Sequence, residues 1–281
     1  SEDLRQACAD RGIALRTGSV VSGTHGENRV TAAVVTGPGG EAEPVACDVL
    51  LVSGGWNPAV HLFSQVRGAL RYDDALGAFV PGGDVDGVSV AGSADGTFDL
   101  PGCLRSGREA AARALAGLGF AAAAEPLAGE ADSSRAAGTG LVLWRVADAA
   151  GADTQFVDVQ RDATVADLVR AVGAGMRSME HIKRYTTIGT AHDQGKTSGV
   201  VASGITAELL GVPVADLGVT TFRPPYTPVA FAALAGRDRG RMFDPERVTA
   251  VHDWHVARGA VFEDVGQWKR PRYYPLPGED M

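Results

Sequence analysis

Between residues 189 and 199 the chain reads GTAHDQGKTSG, closing on the Gly-Lys-Thr with which phosphate-cradling loops end. Such a loop needs four residues between its two glycines, so that successive backbone N–H groups curl around one phosphate. Here five residues, Thr190 to Gln194, separate Gly189 from Gly195, and Asp193 sets a carboxylate where phosphate should sit. The preceding HIKRYTTI is too charged for the buried parallel strand that feeds a nucleotide-hydrolysing site. Nucleotide hydrolysis is therefore set aside.

The same region concentrates positive charge. Lys183, Arg184 and Lys196 lie close together in an acidic chain, with Thr186, Thr187 and Thr197 adding hydroxyls. They read either as a solvated helix face or as an anion pocket for a cofactor phosphate, assisted by a helix N-terminus near Ser198. Arg223 precedes two prolines, which fix the backbone and aim its guanidinium. His252, Asp253 and His255 suggest a metal or a His–Asp base, but two ligands at i, i+3 without a third fall short of a zinc pattern and read as packing. Trp254, Trp268, Tyr273 and Tyr274 read as core or subunit-interface aromatics.

Two apolar runs, CDVLLVSGGWNP and GVSVAGSADG, end in small residues. A strand buried on both faces of a parallel sheet has this form, its end letting the backbone approach a ribose or pyrophosphate. The expected cofactor contacts are Gly92, Ser93, Ala94, Thr97 and Leu100; the alternative is that these glycines only turn the chain.

Composition narrows the class. The 281 residues are 45% apolar and 21% charged, as in an ordinary globular protein, and the net charge of −8 argues against nucleic acid. No apolar run approaches the ~20 residues of a membrane span, and the start lacks signal-peptide character. Three dispersed cysteines, Cys8, Cys47 and Cys103, suit a reducing cytosol and rule out a disulfide framework. Both ends read as cut from a longer protein.

Four segments position these residues. Residues 1–122 alternate strands with turns, including a hairpin around GPGGE, and close in an Ala-rich helix ending at Gly119. Residues 123–152 form a linker ending in a strand, LVLWRV. Residues 153–215 are helical: Thr164 and Asp167 make a capping-box-like start, a second helix runs around Met179 to Arg184, and a third spans about Ser198 to Leu210. Residues 216–281 open extended and Pro-rich with TTFRPPYTPVAF, then carry a short helix and strands in GAVFEDVGQWKRP.

IKRYTTIGTAHDQGKTSG, TTFRPPYTPV and HDWHVARGAVFEDVGQWKRPRYYPLPGEDM together resemble the alpha subunit of heterotetrameric sarcosine oxidase, along essentially the whole chain. The resemblance implies an internal piece of mixed α/β and α+β multidomain architecture. Its parts are the C-terminal half of a Rossmann-like dinucleotide domain, a small helical domain related to [2Fe–2S]-binding domains, and the start of an aminomethyltransferase-like, folate-binding domain. Cluster-binding relatives use C-x-C and then C-Q-G-x-x-C; here FVDVQ and DQGKTS stand in those places, with Asp193 and Ser198 where the second pair of thiolates would be and Val157 and Asp158 in the region of the first, so no cluster is expected.

The resemblance further implies a complex that oxidises sarcosine to glycine, forming hydrogen peroxide and 5,10-methylenetetrahydrofolate. FAD lies in the beta subunit, FMN at the alpha–beta interface, and NAD is bound without redox use; small gamma and delta subunits complete the assembly. Lys183, Arg184, Thr186, Gln194, Lys196, Thr197 and Arg223 are the expected FMN shell, formed by a former cluster loop that keeps its N–H donors. The competing reading is a non-catalytic nucleotide-binding or assembly module of a related amine dehydrogenase complex.

Overall fold

Leu4, Ala7 and Cys8 share one side of helix α1 (Glu2–Ala9), which opens the chain in a computed structural model describing residues 2–83, 85–121, 142–146, 151–237, 240–241 and 243–279. Strands β1 (Val20–His25), β2 (Ala32–Thr36) and β3 (Ala42–Ala46) then form an antiparallel sheet in that order. The GPGGE turn closes β2 on β3 as expected: the Gly37 N–H donates to the Glu41 carbonyl at 2.9 Å, with Gly40 at φ +86°.

The two parallel strands expected next are not formed. Residues 47–55 run without a ladder, leaving Leu51 89% and Val52 85% exposed, and residues 87–91 make one antiparallel bridge, Val85 to Val88. A parallel strand takes its hydrogen bonds from neighbours on both sides. Among the described residues these runs have no such neighbours, so apolar sequence alone does not make them strands. Instead the short helix α2 (His61–Gln65) leads into a hairpin of β4 (Leu70–Asp73) and β5 (Ala78–Pro81), which buries Ala78, Phe79 and Val80. The Asp73 carboxylate fixes its turn by accepting from the N–H groups of Ala75 and Leu76.

A 3-10 turn, Gly92–Asp95, precedes α3 (Leu100–Gly117). Asp99 caps α3 by accepting from the Gly102 N–H at 2.8 Å, and Gly119 at φ +80° follows its end.

After a second 3-10 turn (Ala152–Thr154) come β6 (Phe156–Asp158), β7 (Ala163–Thr164) and helices α4 (Val165–Gly173), α5 (Met179–Thr186), α6 (Gly199–Leu210) and α7 (Val214–Leu217). Asp167 accepts from the Thr164 N–H at 2.8 Å, so the start of α4 is capped where the sequence indicates. Val157, Val165, Leu168, Met179, Ile182, Ile188 and Ile205 form the shared core. Residues 142–146, expected as a strand, are irregular: Trp144 packs against this core, its indole occupying the space that a Cβ on Gly204 would need. No helix among the described residues is long and apolar enough to cross a membrane.

The chain divides into two compact units, 1–227 and 228–281. Residues 216–227, read from sequence as the opening of the last domain, pack within the first. The second unit contains α8 (Phe231–Ala235), α9 (His252–Ala257) and the hairpin β8 (Val261–Val265) with β9 (Trp268–Tyr273). In it the Arg258 guanidinium covers the Trp254 ring at 3.7 Å, His252 packs on Phe262, and His255 Nδ1 hydrogen-bonds the Tyr274 hydroxyl. Trp254 and Trp268 remain about half exposed, so they are not core within this unit.

Candidate functional site

Two carboxylates organise the loop between α5 and α6. Asp158, 2% exposed, accepts from the Gly189 N–H (2.8 Å), the Ser198 hydroxyl (3.1 Å) and the Gln160 N–H (3.0 Å). It thereby fastens both ends of the loop to β6. Asp193 accepts from the N–H groups of Gly195 (3.0 Å) and Thr197 (3.1 Å) and from the Thr197 hydroxyl (2.7 Å). Burial pushes the Asp193 carboxyl up, but the hydrogen bonds from Thr197 and Gly195 outweigh it and hold it below its usual value. Gly189 (φ +72°) and Gly195 (φ +76°) lie back to back, and a Cβ on Gly195 would stand 3.2 Å from the Gly189 Cα. Both conformation and space therefore require glycine.

This corrects one expectation. The N–H groups of Gly189, Gly195 and Thr197 already donate to Asp158 and Asp193, so the loop is not an open anion cradle. Its own carboxylates satisfy the donors that a phosphate would need. The same contacts hold the loop together internally: the Asp158–Ser198 hydrogen bond joins β6 directly to the start of α6.

The loop's outer face holds residues 222–226. Gln194 Nε2 donates to the Pro225 carbonyl (3.1 Å), and Lys196 Nζ donates to the carbonyls of Tyr226 and Asp193 while lying 4.6 Å from the Tyr226 ring centre. His61 packs on the same segment, its ring 4.1 Å from Phe222 and 5.8 Å from Tyr226. Burial and the Lys196 ammonium push the His61 pKa down to about 4, against a smaller opposing pull from Asp193.

The remaining expected site residues are dispersed. Arg184 donates to the Glu180 carbonyl and pairs with its carboxylate at 3.5 Å, while the Thr186 hydroxyl donates to the Ile182 carbonyl at 2.7 Å; both are engaged on α5 itself. Lys183 is half-buried on α5, and Arg223 is exposed. Gly92 donates its N–H to the Ser106 hydroxyl (3.0 Å), and the Thr97 carbonyl accepts from the Cys103 thiol (3.1 Å). Ser93 and Leu100 are exposed and Ala94 is half-buried, and they lie beside the start of α3 rather than at the end of a strand.

What the structure does assemble is a cleft between stretches far apart in sequence. Gly54, Gly55, Trp56 and Asn57 form one wall, Lys196, Thr197 and Val200 another, and Val142, Leu143 and Trp144 close a third side. Trp56 is 82% exposed, and nothing stands within 4 Å of a Cβ built on Gly54 or Gly55, so their backbone is open to a close approach. Sequence reasoning identifies Lys196 and Thr197 but not Asn57, His61, Trp144 or Tyr226. For His61 the available signal is a lone imidazole flanked by Val60 and Phe63.

The mixed α/β architecture has a counterpart among oxidoreductases. The crystal structure of L-proline dehydrogenase from P. horikoshii matches 82% of this chain and 47% of its own with a TM-score of 0.60, at 20% identity, which is a likeness of fold alone. Residues 152–237 match the sarcosine oxidase A3 domain. The chain is 49% identical over 98% of its length to the sarcosine oxidase subunit alpha of Corynebacterium sp. (strain U-96), and 38% identical over 93% to that of Rhizobium meliloti (strain 1021). The resemblance carried by the sequence motifs is thus borne out. The chain spans 30% and 26% of those two relatives.

Proposed function

We propose that this chain is part of the alpha subunit of a heterotetrameric sarcosine oxidase. The assembly converts sarcosine to glycine, with hydrogen peroxide and 5,10-methylenetetrahydrofolate formed. The observation that carries the reading is the 49% identity along 98% of the chain. Within the complex, FAD belongs to the beta subunit, NAD is held without redox use, and FMN sits at the interface with beta; small gamma and delta subunits complete it. The aminomethyltransferase-like folate domain begins in residues 228–281.

The structure's own residues suggest where a nucleotide cofactor is received. The loop nest is filled by Asp193, so a cofactor phosphate does not enter it. The cleft suits a cofactor better: the Gly54–Gly55 backbone permits close approach, Trp56 offers an exposed ring face, and Lys196 and Thr197 supply charge and a hydroxyl on the facing wall. FMN bound there supplies one- and two-electron transfer. Lys196 balances its negative charge, Asp193 and Asp158 hold the loop that aims Lys196, and Trp144 shields one side from water. Gly92 to Leu100, at the start of α3, remain the proposed NAD contact.

The test is the purified complex containing Lys196→Met or Lys183→Met, with FMN and FAD measured after release. The expected result is lower FMN occupancy in Lys196→Met, little change in Lys183→Met, and full FAD in both. Full FMN in Lys196→Met overturns the cleft assignment. A wild-type complex without FAD, or without activity on sarcosine, overturns the family reading itself.

A further inference from the structure

His61 is 8% exposed, and neither Nδ1 nor Nε2 has a hydrogen-bond partner among the described residues. A buried donor or acceptor left unpaired costs about 1–3 kcal/mol, so groups like these find partners. The imidazole faces a small pocket lined by Asn57, Pro58, Val60, Phe79, Lys196 and Phe222, whose interior has room for about one water molecule. It shares Asn57 and Lys196 with the larger cleft.

The chemistry of the walls selects the occupant. A neutral imidazole offers one donor and one acceptor, which a water complements and a simple anion does not. Asp193 offsets part of the Lys196 charge at the ring. The Lys196 ammonium also already donates to two carbonyls. Apart from Asn57 and Thr220, the other walls are apolar side chains or glycine. We propose that this pocket is a buried hydration site holding one water, hydrogen-bonded to His61 and completed by Asn57 and Lys196. Such a water links residues 57–61 to Lys196 across the pocket that both line. The inference is independent of which cofactor fills the cleft.

The experiment is a crystal structure of the full chain at a resolution that shows ordered water, for wild type and His61→Phe, with a parallel wild-type soak in sodium bromide. The expected result is one peak within hydrogen-bond distance of a His61 ring nitrogen, lost in His61→Phe, and no anomalous bromide signal at that place. If His61→Phe fails to fold, the ¹⁵N shifts of the wild-type imidazole serve instead, and should show a hydrogen-bonded neutral ring. No peak beside His61, a peak unchanged in His61→Phe, a bromide peak in the pocket, or ring shifts of an unbonded imidazole would each overturn the proposal.

Discussion

Replacing His61 with Phe should make the chain less sensitive to mild acid. The folded pKa of about 4 lies below the ordinary 6.5, so the folded state holds His61 neutral while the unfolded chain protonates it. The sign follows by linkage: stability is full above pH 6.5 and declines as pH falls towards 4, because the unfolded state gains a proton that the folded state refuses. The gap from 6.5 to about 4 corresponds to at most about 3.4 kcal/mol. The pocket is partly open to water, so screening brings the expected effect nearer about 2 kcal/mol. Urea unfolding of wild type and His61→Phe at pH 7.5, 6.0, 5.0 and 4.2 measures this directly. Other acid-sensitive groups cancel in the pH dependence of the difference, since Phe keeps a ring there and removes the titration, while the lost imidazole hydrogen bonds contribute equally at every pH. The difference should move by about 2 kcal/mol in favour of the variant between pH 7.5 and pH 4.2. Parallel curves across that range would refute the claim that the imidazole is held neutral by its surroundings.

Asp158→Ala strands the N–H groups of Gly189 and Gln160 and the Ser198 hydroxyl, and should cost at least about 3 kcal/mol in urea unfolding; a loss below about 1 kcal/mol would mean that the loop is fastened elsewhere. Gly204→Ala drives a methyl into the Trp144 indole and should cost about 1–3 kcal/mol with a red shift in tryptophan emission; unchanged emission would contradict this packing. Asp167→Ala removes the acceptor for the Thr164 N–H and should cost about 1 kcal/mol by thermal unfolding, an effect absent below the depressed pKa of Asp167.

Signals that act within a few residues are legible in the sequence. Thr164 and Asp167 cap α4, the glycines of GPGGE turn β2 into β3, and Gly211 ends α6 at φ +66°, because each depends only on local backbone geometry and its nearest donors. The family motifs are legible for the same reason: they are read in order along the chain. The two apolar runs mislead because a parallel strand is a property of its neighbours, and Leu51 and Val52 stay exposed without them. The role of Asp193 is not legible either. Sequence shows only a carboxylate in a Gly-rich loop, and the folded loop alone turns the N–H groups of Gly195 and Thr197 onto it and so fills the anion nest from within. His61 is silent for a similar reason: nothing near it in sequence indicates that Lys196, Phe222 and Tyr226 will surround it. Sequence by itself determined which short segments turn, cap and pair with their neighbours in the chain. Tertiary structure decided which distant groups share a dielectric and a hydrogen bond, and those are what set the chemistry of the cleft.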